Sequence, residues 1–352
     1  MVFSLEEKIV SPSLFLMQIG SFTPSAPTVL APMAGVTDAA CRRMAREMGA
    51  GWTVGEMAAS EARLRTTAKT TARFKTDSTD PFPVIQLLGA DPREMAEAAR
   101  FAEDAGAAAV DINFGCPARV VCGKACGSAL MQEPELAEAI VKETVEAVSI
   151  PVTVKMRTGW DRTHKNAVEL AQRFEGAGAA LLTVHGRTRA DKFMGTVDYR
   201  TIAEVVKAVS IPVVANGDIA TAQKAVAVLK ETGAAGVMMG RGAIGNPWLF
   251  ARTAALLSGE KDPGEPEPPT VEAVLLKHLD LHLALNEADP LYALRSFRKF
   301  LMPYLARFPG GSDAAKQLVR SETAEALTDG IRGYFFHLSQ TNDHVDGSNE
   351  RK

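Results

Sequence analysis

The stretch SIPVVANGDIATAQKAVAVLKETGAAGVMMGRGA, residues 210–243, decides the fold. It holds two short apolar runs, PVVANGDI (212–219) and GVMMGRGA (236–243). Between them, residues 221–232 carry apolar side chains at three- and four-residue spacing. Two buried strands joined by an amphipathic helix make a βα unit of a parallel sheet covered on both faces.

The same alternation extends toward the amino terminus. Six further runs are TVLAPM (28–33), WTVGEM (52–57), FPVIQLLG (82–89), AAAVDINFGC (107–116), PVTVKMR (151–157) and ALLTVHGR (180–187). Helices are predicted between them, for example at 91–105 and 133–148, and the unit Ser-Ile-Pro-Val occurs twice, at 149–152 and 210–213. Eight units closing on themselves predict an α/β fold, a (β/α)8 TIM barrel, over residues 28–257. An open doubly wound sheet usually has fewer strands and an early Gly-x-Gly-x-x-Gly turn, which is absent here.

Residues 1–27 form an N-terminal extension in this reading. The stretch SGEKDPGEPEPP (258–269) reads as a linker. A small C-terminal helical bundle follows at 270–339, then a polar, flexible tail at 340–352.

With 352 residues, 46% hydrophobic and 23% charged, the chain buries a large core and is not a disordered protein. Its net charge of -3 gives no global attraction to nucleic acid, so an RNA partner must meet a local basic patch. Cys41, Cys116, Cys122 and Cys126 are too few for a disulfide scaffold and point to a reducing compartment. The chain shows neither a basic, long-apolar leader nor a run of about 18 apolar residues, so a cytoplasmic protein without membrane contact is expected.

Barrel sites lie at the carboxyl ends of the strands. Gln86, Asn113, Lys155 with Arg157, His185 with Arg187, Asn216 with Asp218, and Arg241 each close an otherwise apolar run. Side chains alternate along a strand, so Lys155 and Arg157 share one side, as do Asp111 and Asn113, and both pairs are predicted to line one pocket. Any one of these residues also fits a solvated strand end; the set points to a binding site.

Glycines in ANGDIAT (215–221) and MGRGAIGNPWLF (239–250) follow the last two runs, where barrels hold phosphate on backbone N–H groups, and Arg241 can add a charged contact. In NFGCP, Pro117 keeps Cys116 on a loop, which favours a chemical role over an inert core thiol. The spacings among Cys116, Cys122 and Cys126 match neither zinc pairs nor ferredoxin runs, so no metal site is expected. Arg295, Arg298 and Lys299 are predicted to share a helix face, suited to gripping phosphates or simply to solvation.

Together LAPMAGVTD (30–38), PVIQLLG (83–89), DINFGCP (111–117), GSALM (127–131), VKMRTGW (154–160), TVHGRTR (183–189), ANGDI (215–219) and GRGAIGNPW (240–248) resemble the tRNA-dihydrouridine synthases, most closely the bacterial B subgroup. The resemblance spans residues 29–250, block after block in order. It implies FMN in the barrel and NADPH as electron donor. Pro32, Met33 and Ala34 would pack under the isoalloxazine, Gln86 would meet its pyrimidine edge and Lys155 its N1 side. His185 would line the same cavity, while Asn216, Gly217, Asp218, Gly240 and Arg241 would contact phosphate and ribityl.

Cys116 would be the proton donor. Asn113, Arg157 and Phe193 would hold or cover the target uracil, and Arg295, Arg298 and Lys299 would meet the tRNA. The B subgroup implies a D-loop uridine, at conventional position 17, and a monomeric enzyme is expected. Two features depart from the family: Cys122 and Cys126 on the loop after Cys116, and Phe300 where a histidine is common.

Three other readings compete. An FMN barrel acting on a small molecule, such as a dihydroorotate dehydrogenase or ene-reductase, leaves the helical domain and NFGCP unexplained. A cofactor-free phosphosugar barrel leaves Gln86 and Lys155 unexplained, and a regulatory RNA-binding protein leaves the strand-end set.

Overall fold

Nine parallel strands occur among the described residues of the computed structural model, which are 17–65, 67–123 and 125–346. They are β1 (Thr28–Leu30), β2 (Trp52–Thr53), β3 (Ala58–Ala59), β4 (Val84–Leu88), β5 (Ala109–Phe114), β6 (Val152–Arg157), β7 (Leu181–His185), β8 (Val213–Asn216) and β9 (Gly236–Met239). Their order is β2-β1-β9-β8-β7-β6-β5-β4-β3. The ring closes through the segment joining β2 to β3, where Val54 pairs with Val84 and the Gly55 N–H donates to the Val84 carbonyl at 3.1 Å.

The predicted strand at 52–57 is thus a stave in two pieces, β2 and β3, interrupted where Glu56 accepts from the Gly35 N–H and lies 3.7 Å from Arg73. The eight-unit barrel is otherwise as expected. Helices Pro92–Asp104, Pro134–Ala147 and Ala222–Thr232 stand at the predicted places. The Asp91 and Thr221 side chains cap two of them by accepting from Glu94 N at 3.0 Å and Lys224 N at 3.1 Å.

Strand alternation builds the site. All six residues of β5 are buried; Val110, Ile112 and Phe114 join the core under the helices, and Ala109, Asp111 and Asn113 take the other face. The amino half of the lumen is apolar: Val29, Val84, Ala109, Leu181 and Val214 pack with Met17 and Ile19. Phe22 stacks on Phe82 at 4.0 Å between centroids. Each such buried side chain contributes about 1.5–3 kcal/mol. The described part of the predicted N-terminal extension therefore plugs the barrel floor, and residues 1–16 lie outside the described residues.

Helices Pro268–Leu285, Pro290–Phe297, Leu301–Leu305, Gly311–Leu318 and Ala324–Asp346 follow the barrel. Two boundaries differ from prediction. The first helix starts inside the predicted linker, because Pro268 and Pro269 suit a first turn that needs no N–H donors. The last runs through 340–346, part of the predicted tail, and 347–352 lie outside the described residues.

The predicted linker is clasped to the barrel. Arg252 donates to Asp262 at 2.8 and 2.9 Å and pairs with Glu265, and Arg307 donates to Glu265 at 3.0 Å. Bundle residues Leu275, Phe297, Leu301 and Ile331 form one apolar core with Trp248 of the barrel.

Candidate active site

At the carboxyl ends of the strands the lumen opens into a cavity of about 790 Å³. Pro32, Met33, Ala34, Gln86, Asn113, Cys116, Lys155, Arg157, His185, Phe193, Asn216, Gly217, Asp218, Gly240 and Arg241 all line it. Among the described residues, four cationic side chains, Lys155, Arg157, Arg187 and Arg241, face it with a single carboxylate, Asp218.

Its floor is a hydrogen-bonded chain. Gln86, Asp111 and Thr153 are in register on β4, β5 and β6. Thr153 Oγ1 donates to Asp111 Oδ1 at 2.6 Å, and Gln86 Nε2 donates to Asp111 Oδ2 at 2.7 Å. Asn113 Nδ2 donates to Gln86 Oε1 at 2.8 Å, while Asn113 Oδ1 accepts from Gly115 N at 3.0 Å and Cys116 N at 2.9 Å. Asp111 lies beneath the pocket and does not line it, contrary to expectation: Gln86 and Thr153 occupy both its oxygens. Burial raises its pKa to about 6 against the lowering pull of those hydrogen bonds and Lys155.

Cys116 sits half-buried on the loop that this chain holds. Its carbonyl accepts from Ser128 Oγ at 2.8 Å and Ser128 N at 3.2 Å, and Cys122 Sγ lies 3.6 Å from the same oxygen. Cys122 is thus behind the loop and outside the cavity lining. Burial pushes the Cys116 thiol pKa up, while Arg157 pulls it down. Among the described residues no group of three or more His, Cys, Asp or Glu converges as a metal site.

Lys155 Nζ donates to Asn216 Oδ1 at 3.1 Å, and Asn216 Nδ2 is turned away by the Met238 carbonyl at 2.8 Å. Burial, then Arg157, lowers the Lys155 pKa to about 8, against Asp111. His185 is a neutral imidazole: burial and the charges of Lys155, Arg157, Arg187 and Arg241 drive its pKa far below the usual histidine range. Gly217 has φ +131°, and a Cβ there would lie 2.9 Å from Val197 Cγ1 and 3.2 Å from His185 Cδ2, so only glycine leaves this rim open.

The arginines are braces as much as pocket walls. Arg157 donates to the carbonyls of Gly115 at 2.7 Å, Thr188 at 2.9 Å and Lys192 at 2.7 Å, tying two loops together. Asp218, at φ +46°, receives Arg187 at 2.9 Å and Arg241 at 3.3 Å, so it orients cations. Phe193, 53% exposed, lies 5.5 Å from both the Arg157 and the Arg241 guanidinium.

In the bundle, two of the three predicted phosphate-gripping cations have partners within the chain. The helix ends at Phe297 and a 3-10 turn follows; Arg298 donates to the Ser321 carbonyl at 2.8 Å and Lys299 to Asp38 at 3.1 Å. Arg295 and Lys299 are exposed, and none of the three lines the cavity.

Against this geometry, the model of the family described as dihydrouridine synthase matches residues 29–330. The chain belongs to the dihydrouridine synthase family. It is 43% identical over 322 residues to the tRNA-dihydrouridine synthase B of Pseudomonas aeruginosa, covering 91% of this chain and 96% of that one. To the tRNA-dihydrouridine synthase B of Escherichia coli K12 it is 40% identical over 324 residues, with 91% and 99% covered. Among solved structures, the 6-hydroxypseudooxynicotine amine oxidase of Pseudomonas geniculata N1 matches with a TM-score of 0.52 at 14% identity, over 70% of this chain and 50% of that one, a likeness of fold alone.

For this dihydrouridine synthase family member, Thr153 and Ser128 complete the site beyond the residues expected from the sequence, and Arg187 and Asp111 join it from the strand-end set. Arg187 and Asp111 carry a signal in the sequence, as inward positions near strand ends. Thr153 and Ser128 carry none, since threonine in a strand and serine in a loop are ordinary. No helix among the described residues is long and apolar enough to cross a membrane.

Proposed function

We propose that this enzyme reduces the C5=C6 bond of a uracil in tRNA, with FMN resident in the barrel and NADPH as electron donor. The observation that carries this reading is Cys116 on the rim of a cation-rich cavity floored by Gln86 and Lys155. That donor set fits FMN. Arg241, 62% exposed beside the open Gly217 rim, suits the phosphate, and Gln86 and Lys155 suit the polar edge of the ring system. Pro32, Met33 and Ala34 offer one apolar wall, and Asn216 and Gly240 on the same lining would meet the ribityl chain.

Bound here, FMN supplies the hydride that adds to uracil C6. The C4 carbonyl polarises the double bond, so C5 must gain a proton from the opposite face. Cys116 is suited to give it: its raised pKa keeps the thiol protonated at neutral pH, and the charge of Arg157 favours the thiolate that remains. Extruding the base costs a few kcal/mol, and the exposed ring of Phe193 on the cavity lining would suit covering it. In the bundle, Arg295, Arg320 and Arg332 are exposed cations open to backbone phosphate. Likeness to the B-named relatives favours position 17 of the D-loop.

The test is to incubate the purified chain with NADPH and tRNA from a strain lacking dihydrouridine, then map the modified bases. Dihydrouridine in the D-loop is the expected product. A yellow, NADPH-reducible protein that leaves tRNA unchanged would instead support an FMN barrel acting on a small molecule.

A further inference from the structure

The chain of polar side chains on the barrel floor has a direction. Asp111 is its origin: Thr153 Oγ1 and Gln86 Nε2 both donate to it, at 2.6 and 2.7 Å. A carboxylate only accepts, so Gln86 must present its amide nitrogen to Asp111 and its oxygen to Asn113. Asn113 then presents its nitrogen to Gln86 at 2.8 Å, which leaves its oxygen for the N–H groups of Gly115 and Cys116 at 3.0 and 2.9 Å. Every amide in the series is oriented by the one before it.

We infer that Asp111 is a positioning residue whose carboxylate, through Gln86 and Asn113, sets the polarity that fixes the Cys116 loop over the cavity. Its position supports this. Asp111 is 3% exposed and does not line the cavity, whereas Gln86 and Asn113 do, and Asn113 also holds the loop. Turning one member over turns all of them. An amide at position 111 that keeps its oxygen toward Thr153 offers a donor to Gln86, which must then present its oxygen. The opposite placement would make the Thr153 hydroxyl an acceptor and take from its own proton the carboxylate it is given in the structure. Gln86 would turn its nitrogen to Asn113, and Asn113 would turn its own nitrogen toward two N–H donors, a donor-to-donor conflict that releases the loop. The role of the loop in proton delivery rests on the function proposed above, whereas its fixation does not.

The experiment reads the thiol itself. Trypsin cuts after Arg119 and Lys124, which places Cys116, Cys122 and Cys126 on separate peptides, so alkylation by iodoacetamide can be timed at each cysteine of the full-length protein. Cys41, packed against both the barrel core and the bundle core, reports global unfolding. In Asp111→Asn, Cys116 should be alkylated about tenfold faster than in wild type, with Cys41 still protected. The double variant Asp111→Asn/Gln86→Glu moves the carboxylate one step along the chain. The carboxylate now at position 86 accepts from both neighbours, Asn113 recovers its orientation, and the Cys116 rate should return to near the wild-type value.

A merely structural role for Asp111 would not be rescued by altering its neighbour again. A wild-type Cys116 rate in Asp111→Asn, or a double variant as reactive as the single, overturns the inference. If Asp111→Asn does not fold, the double variant decides alone: folding with a wild-type Cys116 rate supports the inference, and failure to fold overturns it. Undiminished tRNA reduction by Asp111→Asn, with the alkylation rates behaving as stated, would count against Cys116 as proton donor and leave the positioning role intact.

Discussion

Lys155 is less basic than an ordinary lysine because burial, and then Arg157, oppose its charge and bring its pKa to about 8. The sign for stability follows: the unfolded chain holds this proton up to about pH 10.4, so the ligand-free protein gains stability from Lys155 as pH rises from about 8 to that value. Anion binding runs the opposite way. Affinity for FMN should fall as pH rises through about 8 and beyond, with the midpoint moved upward by the bound anion, and Lys155→Met should bind more weakly at neutral pH with a flatter profile. Fluorescence titration across that range checks both statements.

Arg241 is a second residue-scale case. It is 62% exposed and meets the rim groups Asp218 at 3.3 Å and the exposed Phe193 ring at 5.5 Å, so the fold should not depend on it. Arg241→Ala should keep its melting temperature and lose about tenfold or more in FMN affinity. Equal affinity would remove the phosphate assignment.

At the scale of elements, the loop after β9 meets the bundle at Gly245. Its φ is +64°, and a Cβ there would lie 2.4 Å from the backbone carbon of Pro303 and 2.6 Å from Tyr304 N. Gly245→Ala should therefore cost about 1–3 kcal/mol, seen as a lowered thermal midpoint with the cavity residues untouched. Such approaches are not legible in a sequence, because they depend on which loops meet.

The strands were legible because their buried residues alternate against two different cores. Val110, Ile112 and Phe114 announce the strand, and Asp111 and Asn113 interrupt it on the lumen side. Lys155, His185 and Asn216 were legible for the same reason. The division of β2 from β3 was not, since Val54, Gly55 and Glu56 look like a strand until Glu56 finds Gly35 on the loop after the neighbouring β1. Nor was the fate of Arg157, whose partners at Gly115, Thr188 and Lys192 are loop carbonyls with no sequence signature. Pro268 misled by composition: a proline-rich segment that suggests a linker also supplies a helix with its first turn.

At the scale of the whole molecule, the bundle is fastened to the cavity's own rim. Asp38 ends the segment that begins at Pro32. It caps helix Ala39–Glu47 by accepting from Cys41 N at 3.0 Å, receives Lys299 at 3.1 Å and lies 3.4 Å from His282. Burial would raise its pKa, but His282, Lys299 and the cap hold it well below the usual carboxylate range. Its contribution is therefore present above about pH 3.9 and lost as pH falls through the lower folded-state value. Asp38→Asn should lower the thermal midpoint at neutral pH, with the difference from wild type shrinking in strong acid. The shared apolar core adds to this fastening. A chain cut near Leu257 would bare Trp248 and Ile244, so it should aggregate rather than persist as a free flavin barrel.

The central claim is that Cys116 delivers the proton to the uracil. The most direct measurement is the single-turnover reoxidation of the NADPH-reduced enzyme by tRNA lacking dihydrouridine, compared among wild type and the Cys116→Ala, Cys122→Ala and Cys126→Ala variants. Cys116→Ala should bind FMN and accept electrons from NADPH normally, yet be reoxidised by tRNA about 10²- to 10⁴-fold more slowly, with the other two near wild type. Reoxidation of Cys116→Ala at the wild-type rate, or a stall in Cys122→Ala alone, would contradict the claim.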